Sequence, residues 1–333
     1  MPLALNASLI HPGDRLCVAI SGGSDSTALL LALHQQRHSL GIGLSAIHIN
    51  HQLRPEAPAD QLFVEQLCQK LDVPLSTVSV ATDSHAKDDK LSTETAARNL
   101  RYAAFRTLLS SGEATAIATA HTLDDQAETV LLKLIRGAWL EGLSAIHPTL
   151  TLPDGRIIRP LLDTPKSEIQ TFLAAEDQPW REDHSNTDPA FTRNRVRHEL
   201  LPQLQTFNPS IVNTLNNLAT LARDEESRWQ AELDRLLPTI LLPGEPTRGG
   251  GRTASSAVSL DLTRLKSMDS ALRRRVLRAA AASLGHTLSF DDTHRLLHLC
   301  GFTTSTPGRN LHLPNGLRAT RSPRELRLST EPK

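Results

Sequence analysis

Cysteine is scarce in this chain, three residues in 333, and the three are scattered. Cys17, Cys68 and Cys300 form no CxxC pair. That argues against a disulfide framework and a structural zinc site, and it fits a reducing, cytoplasmic setting. No uninterrupted apolar run reaches about 18 residues, which argues against a membrane span. The opening segment, MPLALNASLIHPGDR, lacks the basic start and long apolar stretch of a signal peptide. Aromatics are few, but a content of 39% hydrophobic and 22% charged residues is that of a globular protein. The length suggests two domains. Net charge is zero, with 36 Lys and Arg against 36 Asp and Glu, yet it is unevenly spread. Residues 190–333 hold 21 basic and 13 acidic side chains, which leaves 15 and 23 before them. A basic C-terminal half can attract a polyanion while the whole stays neutral. Arginine-rich helices that are merely solvated would give the same numbers.

What is present is a rhythm. RLCVAI (15–20), GLSAIHIN (43–50), LSTVSV (75–80) and ATAIATA (114–120) read as buried strands. Between and after them, residues 26–38, 60–71, 93–111 and 122–137 read as helices. Thr93 is the expected N-cap of the third, and Gly137 closes the fourth. This alternation predicts an α/β fold, a doubly wound parallel sheet whose ligand lies beyond the carboxyl ends of its strands. After residue 150, TLPDGRIIRPLL reads as a short hairpin turning at Asp154-Gly155. Residues 165–177, 192–237 and 261–300 read as helical, and the tail alternates like a hairpin around Asn315-Gly316. The expected division is a catalytic domain over 1–188 and a mainly helical, basic domain over 189–333 with a small C-terminal β hairpin. The best linker is PGEPTRGGGRTASS, near 243–256.

The richest stretch is Ser21-Gly22-Gly23-Ser24-Asp25-Ser26, where the first strand turns into a helix. Two glycines let the backbone turn tightly and approach a ligand closely. The helix that follows points free N–H groups and its positive dipole end back at the loop, which suits a phosphate. The hydroxyls of Ser21, Ser24 and Ser26 add donors. Asp25 is out of place beside phosphate unless it holds a cation. An ordinary capped helix would need no more than Ser and Asp here, but the whole SGGxDS string is more specific. No GxxxxGK[ST] sequence is present. The string resembles the PP-loop of ATP pyrophosphatases, which cut ATP between the α- and β-phosphates and adenylate a substrate.

Further segments follow in order. They are His48-Ile49-Asn50-His51-Gln52-Leu53-Arg54, Glu94 and Arg98 with Arg101-Tyr102, and the run His121 to Thr129 carrying Asp124, Asp125 and Glu128. Arg159-Pro160-Leu161-Leu162, Asp183-His184-Ser185-Asn186 and Arg193-Asn194-Arg195-Val196-Arg197 complete the series. In this combination the chain resembles the tRNA(Ile)-lysidine synthetase family over about residues 15–210. The resemblance implies an ATP-dependent ligase that adenylates C2 of the wobble cytidine of a CAU-anticodon tRNA(Ile). Lysine then displaces AMP, and the product, lysidine, changes codon reading from AUG to AUA.

Site residues follow from that likeness. Ser21 to Ser26 and His48 are expected to bind ATP. Asp25, Arg98, His121, Asp124, Asp125 and Glu128 are expected to carry the catalysis, with Mg²⁺ on Asp25 and Asp124. Asp124 and Glu128, four apart, share one helical face, with Asp125 beside it. Which acid holds metal and which receives lysine is left open. Arg193, Asn194, Arg195 and Arg197, with Arg273, Arg274, Arg275 and Arg278, are the expected tRNA contacts. Glu94 and Arg98 are also at the spacing of a plain helix salt bridge, His48 and His51 at the strand end of buried structural histidines, and the acids where they favour a helix's first turn. Trp139 departs from the family, standing where a glycine is expected. A tRNA thiolase of the same class is disfavoured because no reactive cysteine pair is present. A tRNA-binding protein without catalysis is a further alternative, disfavoured because every expected loop and acid residue is present. The oligomeric state is not fixed, and a homodimer is among the states allowed.

Overall fold

The computed structural model describes residues 2–52, 56–82, 92–182, 191–246, 252–253, 256–303 and 308–330, with the side chains of Glu94, Glu245, Pro246 and Arg252 excluded. The chain divides into two compact units, Met1–Asp224 and Glu225–Lys333. The boundary expected at 188/189 and the middle of the expected linker lie outside the described residues.

In the first unit, strands β1 (Arg15–Ala19), β2 (Gly43–Asn50), β3 (Leu75–Ser79), β4 (Ala116–Ala118), β5 (Thr149–Leu152) and β6 (Gly155–Ile158) form one sheet in the order β3-β2-β1-β4-β6-β5. All neighbours run parallel except the β5–β6 hairpin at the edge. The hairpin expected at Asp154-Gly155 is thus an extension of the sheet. Period-two alternation sorts the core into two layers. Leu16 and Val18 face one side, against α1 (Ser24–Leu40), α2 (Ala57–Lys70) and α6 (Lys166–Ala175). Cys17, Ile47, Ile117 and Ile157 face the other, against Phe105 and Leu109 of α3 (Thr93–Ser110). Ser92, not Thr93, caps α3, its side chain accepting from Thr95 N. On α2, Leu67, Val64 and Cys68 take the inner face, while Leu62 is 53% exposed.

The chain runs outward from β1 to β3, then returns through α3 to β4 on the far side of β1. The loops after β1 and β4 therefore lie side by side at a topological switch point, where such sheets bind ligands. The helix α4 (Leu123–Ile135) leaves β4 at that point. The short α5 (Leu140–Leu143) precedes β5. Beyond α6, α7 (Thr192–Arg195) passes through a π-helical turn at Val196–Leu200 into α8 (Leu201–Phe207), and α9 (Ile211–Ile240) follows. Val196, Leu201, Leu215 and Ala219 pack against Ala127, Val130 and Leu131 of α4. Trp139 begins α5 with an ordinary extended φ of −69°, so that position needs no glycine.

The second unit is less purely helical than its sequence suggests. Strands β7 (Leu241–Leu242), β10 (Val258–Asp261), β11 (Asn310–His312), β12 (Leu317–Arg321) and β13 (Glu325–Thr330) form a five-stranded sheet in the order β11-β12-β13-β10-β7, and β8 (Glu245–Pro246) with β9 (Arg252–Thr253) makes a separate ribbon. The β11–β12 turn carries Asn315 at φ 60°, as its Asn-Gly signal requires. The sheet's Leu260, Leu317, Ala319, Leu326 and Leu328 pack with Val276, Leu277 and Leu296. These last belong to α11 (Ser270–Ala282) and α12 (Phe290–Leu299), which follow the short α10 (Leu262–Lys266). Two- and four-residue strands are too short to announce themselves by alternation.

A Cβ placed on Gly155 would lie 2.7 Å from the Thr115 carbonyl oxygen and 2.8 Å from Leu109 Cδ2. Gly155→Ala is expected to destabilise the protein by about 1–3 kcal/mol, read as a lower urea midpoint at unchanged slope.

Candidate active site

The loop after β1 is set by backbone constraints. Gly22 has φ +91°, and a Cβ there would meet Phe63 Cδ1 at 3.3 Å. Its carbonyl accepts from Arg181 N at 2.9 Å and from Thr27 Oγ1 at 3.2 Å. Ser26 Oγ accepts from Ser21 N at 3.2 Å, donates to the Gly23 carbonyl at 3.1 Å and lies 3.1 Å from Ser21 Oγ. Gly23 is the N-cap of α1 and supplies no side chain to its first turn. The leading N–H groups of a long helix therefore face the loop without a side-chain cap, an arrangement that favours an anion. His48 is buried in β2, its Nδ1 2.9 Å from the Ile20 carbonyl, which buttresses the strand end below the loop. His51 Nδ1 meets Thr82 Oγ1 at 3.1 Å; burial, with Arg101 and His48 nearby, pushes His51 down to about 4.

Beside this loop lies an acidic cluster. Thr122 caps α4 in a reciprocal box with Asp125, whose Oδ2 accepts from Thr122 N at 3.0 Å. The other oxygen of Asp125 accepts from Arg193 Nη2 at 2.8 Å. Glu128, 1% exposed, binds Arg193 Nε at 2.8 Å and Arg197 Nε at 2.5 Å. Asp124 points elsewhere: its Oδ2 accepts from Lys166 N at 2.8 Å and so caps α6. Lys166 Nζ lies 3.5 Å from Asp25 Oδ2, and Ser24 Oγ donates to Asp25 Oδ1 at 2.9 Å. Asp25, Asp124, Asp125, Glu128, Lys166 and Arg197 share a cavity of about 170 Å³.

The charges there are tuned in opposite directions. Burial raises the Asp25 carboxyl above its ordinary range; Asp125 adds to the rise and Lys166 opposes it. Burial acts the same way on Asp125, but Arg193, His121, the Thr122 amide and Arg197 outweigh it and hold that carboxyl low. The two arginines lose solvation and are nevertheless pushed up by Asp125 and Glu128. His121, its Nδ1 3.1 Å from Thr119 Oγ1, is pushed down to about 4 by burial, against the pull of Asp125 and with Arg159, Arg193 and Arg101 adding. The ring is therefore neutral at pH 7.

The structure thus brings together Asp25, His121, Asp124, Asp125 and Glu128, and adds Lys166, which sequence reasoning missed. A signal existed. A lysine in the first turn of a helix opposes the dipole and needs an acid nearby. Arg98 does not line this cavity; it is exposed, its guanidinium 4.9 Å from the Tyr102 ring centre. Leu53, Arg54 and Asp183 to Asn186 lie outside the described residues, as does the Glu94 side chain.

Of the expected tRNA contacts in the first unit, Arg193 and Arg197 sit on the acids and Asn194 is buried. Arg195, 62% exposed, lies 3.5 Å from Glu199. In the second unit Arg273 donates to the Leu265 and Lys266 carbonyls and covers Phe302. Arg275 pairs with Glu226 and stacks on Trp229 at 5.0 Å. Arg278 donates to the Leu288 carbonyl at 2.6 Å, and Arg274 lies 3.5 Å from the Ser270 carbonyl. Among the described residues no group of three or more His, Cys, Asp or Glu forms a metal cage. Magnesium does not require one. It takes one or two carboxylates together with phosphates and water, and Asp25 and Asp124 fit that demand.

A parallel sheet, a glycine loop that leads into an uncapped helix and acids at the switch point define a PP-loop protein, and residues 4–204 match the PP-loop domain family. Residues 260–325 match the TilS substrate-binding domain. The U34-tRNA thiolase of Methanococcus maripaludis shares the fold, with a TM-score of 0.55 at 16% identity over 65% of this chain and 75% of that one. Curated relatives carry the comparison further. The tRNA(Ile)-lysidine synthase of Geobacter sulfurreducens is 37% identical over 97% of this chain and 67% of its own length. That of Nitratidesulfovibrio vulgaris is 35% identical over 82% and 81%. The chain belongs to the tRNA(Ile)-lysidine synthase family.

An unfolded chain protonates histidine near pH ~6.5, whereas folded His121 takes its proton only near about 4. The unfolded state binds more protons across that window, so this histidine's contribution to stability is present above it and is lost as pH falls through it. His121→Gln should therefore lose less stability than wild type between pH 7 and pH 5, measured by urea denaturation at each pH. Proton NMR should place the His121 titration midpoint near pH ~4 rather than ~6.5.

Proposed function

We propose that this protein is an ATP-dependent ligase that joins L-lysine to C2 of the wobble cytidine of CAU-anticodon tRNA(Ile). The observation that carries the reading is the juxtaposition of the Ser21–Ser26 loop with a small cavity of carboxylates already occupied by protein cations. One side suits polyphosphate and the other suits an ammonium. Lys166 Nζ beside Asp25 is itself an ammonium held by that acid.

In the first step the C2 oxygen attacks the α-phosphate of ATP and pyrophosphate leaves. The first-turn N–H groups of α1 hold the departing phosphates, and Asp25 and Asp124 would hold Mg²⁺, which supplies further positive charge against them. In the second step the ε-amine of lysine forms a bond to C2, the C2–O bond breaks and AMP departs. Lysine must first shed a proton. Once pyrophosphate has left and Asp25 no longer faces polyphosphate and its cation, its carboxyl, raised by burial, is the better proton acceptor among the acids. Asp125, held ionised, is the better ammonium receptor. Glu128 shares the latter role. His121, neutral and enclosed, takes a proton poorly and serves as a hydrogen-bonding group. The second unit, with its match to a substrate-binding domain, is the part proposed to grip tRNA.

A thiolase reading is opposed by the thiols themselves. Cys17 and Cys68 are buried and pushed up to about 11, Cys300 to about 12, so none is a thiolate at neutral pH. Buried free thiols also fit the proposed cytoplasmic setting, and no described helix is long and apolar enough to cross a membrane.

The test combines purified protein, ATP, Mg²⁺, labelled lysine and bulk tRNA. Label is expected in tRNA(Ile) alone, with stoichiometric pyrophosphate release. No labelled tRNA from a preparation active in ATP–pyrophosphate exchange rejects the reading. Asp25→Asn should abolish turnover with little change in Tm, because its partner Lys166 is 37% exposed and can turn to water. Wild-type turnover in that variant would remove Asp25 from the mechanism.

A further inference from the structure

Arg159 directly follows β6, at the carboxyl end of the strand next to β4, and is 5% exposed. Its Nη1 donates to the His147 carbonyl and its Nη2 to Tyr102 Oη at 3.3 Å, while Nε is buried without a partner. No described carboxylate pairs with it. Among the partly or fully buried arginines of this unit, Arg156 pairs with Asp14, and Arg193 and Arg197 with Asp125 and Glu128, whereas Arg223 is held by the Ser144 and Ile146 carbonyls. Burial lowers the proton affinity of Arg159 and Arg98 adds to the fall, while Tyr102 opposes it. Arg98 Nη2 also lies 3.4 Å from Tyr102 Oη. Two guanidinium groups thus donate to one phenol oxygen, and His121 feels both Arg159 and Asp125.

A buried cation without a counter-ion is costly, and such a group persists where an anion completes it. We propose that Arg159 is a positioning residue for the phosphate side of the reaction. Through Tyr102 it holds Arg98 in place, and a phosphate of the substrate nucleotide is the counter-ion that no described carboxylate supplies to Arg159. This rests on the reading that the protein activates tRNA with ATP. The phosphate belongs either to the adenylyl group or to the tRNA backbone beside the reacting base.

The experiment uses the full chain with Arg159→Met, Arg159→Lys and Tyr102→Phe. For each, kcat/KM is measured separately for ATP and for tRNA, together with the Tm without ligand and with AMP or pyrophosphate. Arg159→Met is expected to keep or raise the ligand-free Tm, because an unpaired charge is removed, and to lose the Tm rise that AMP gives the wild type. A loss of tenfold or more in kcat/KM for ATP, with tRNA unaffected, assigns the phosphate to the adenylyl group. The same loss confined to tRNA assigns it to the backbone. Arg159→Lys should recover part of either loss. Tyr102→Phe should reproduce a smaller loss in the same parameter. Unchanged kcat/KM for both substrates in Arg159→Met overturns the proposal. So does a lowered ligand-free Tm with an AMP response equal to wild type, the mark of a purely structural arginine. Should Arg159→Met fail to fold, wild-type kinetics in Arg159→Lys and Tyr102→Phe overturn it equally. If the wild type makes no lysidine, the reading of the preceding subsection falls, and the AMP arm still decides this one.

Discussion

Four carboxylates cannot crowd one small cavity unless cations come with them. Asp25, Asp124, Asp125 and Glu128 meet at the switch point between β1 and β4, and Glu128 is almost fully enclosed. Breaking a buried ion pair by removing one partner costs about 3–5 kcal/mol, so these acids dictate where other segments go. They draw Arg193 and Arg197 onto α4 and Lys166 onto Asp25. The arginines are delivered by a chain that passes through a π-helical turn at Val196–Leu200, a deviation frequent at functional sites. The same requirement shapes the chemistry. A cavity built to be neutralised by protein cations is one that a substrate cation can enter by exchange.

The site is bipolar. Its acidic side holds three protein cations against four carboxylates, whereas no described carboxylate pairs with Arg159 on its basic side. That asymmetry follows from what each side meets in the resting protein. Ammonium and guanidinium groups are part of the chain and can be supplied from within. Phosphate is not, so its receptor waits with charge unspent.

Much of this was legible in the sequence. The strand–loop–helix of β1 and α1 announced itself because its signals are local: an apolar run, two glycines and a helix start within a dozen residues. The parallel order followed from alternation, and the Asn315 turn from its Asn-Gly pair. Long-range pairing was not legible. Nothing near Arg193 or Arg197 says that Glu128, over sixty positions earlier, is their partner, and the alternating arginines read as tRNA contacts. Asp124 shared a helical face with Glu128 on paper, yet it bonds to the backbone of α6 instead. The sheet of the second unit escaped because β7 and β10 are short and their partners lie far down the chain. The arginines of α11 read as a patch for polyanions, but three of them grip carbonyls, a ring or an acid of their own unit.

The hydroxyls of Ser21 and Ser26 already satisfy one another and their own loop. A phosphate arriving there exchanges partners instead of adding them, so the hydroxyls contribute little net binding. What remains is the helix's positive end and the nearby cations, whose attraction fades as ions screen it. In the proposed reaction the grip on nucleotide would therefore depend on ionic strength more than on hydrogen-bond count.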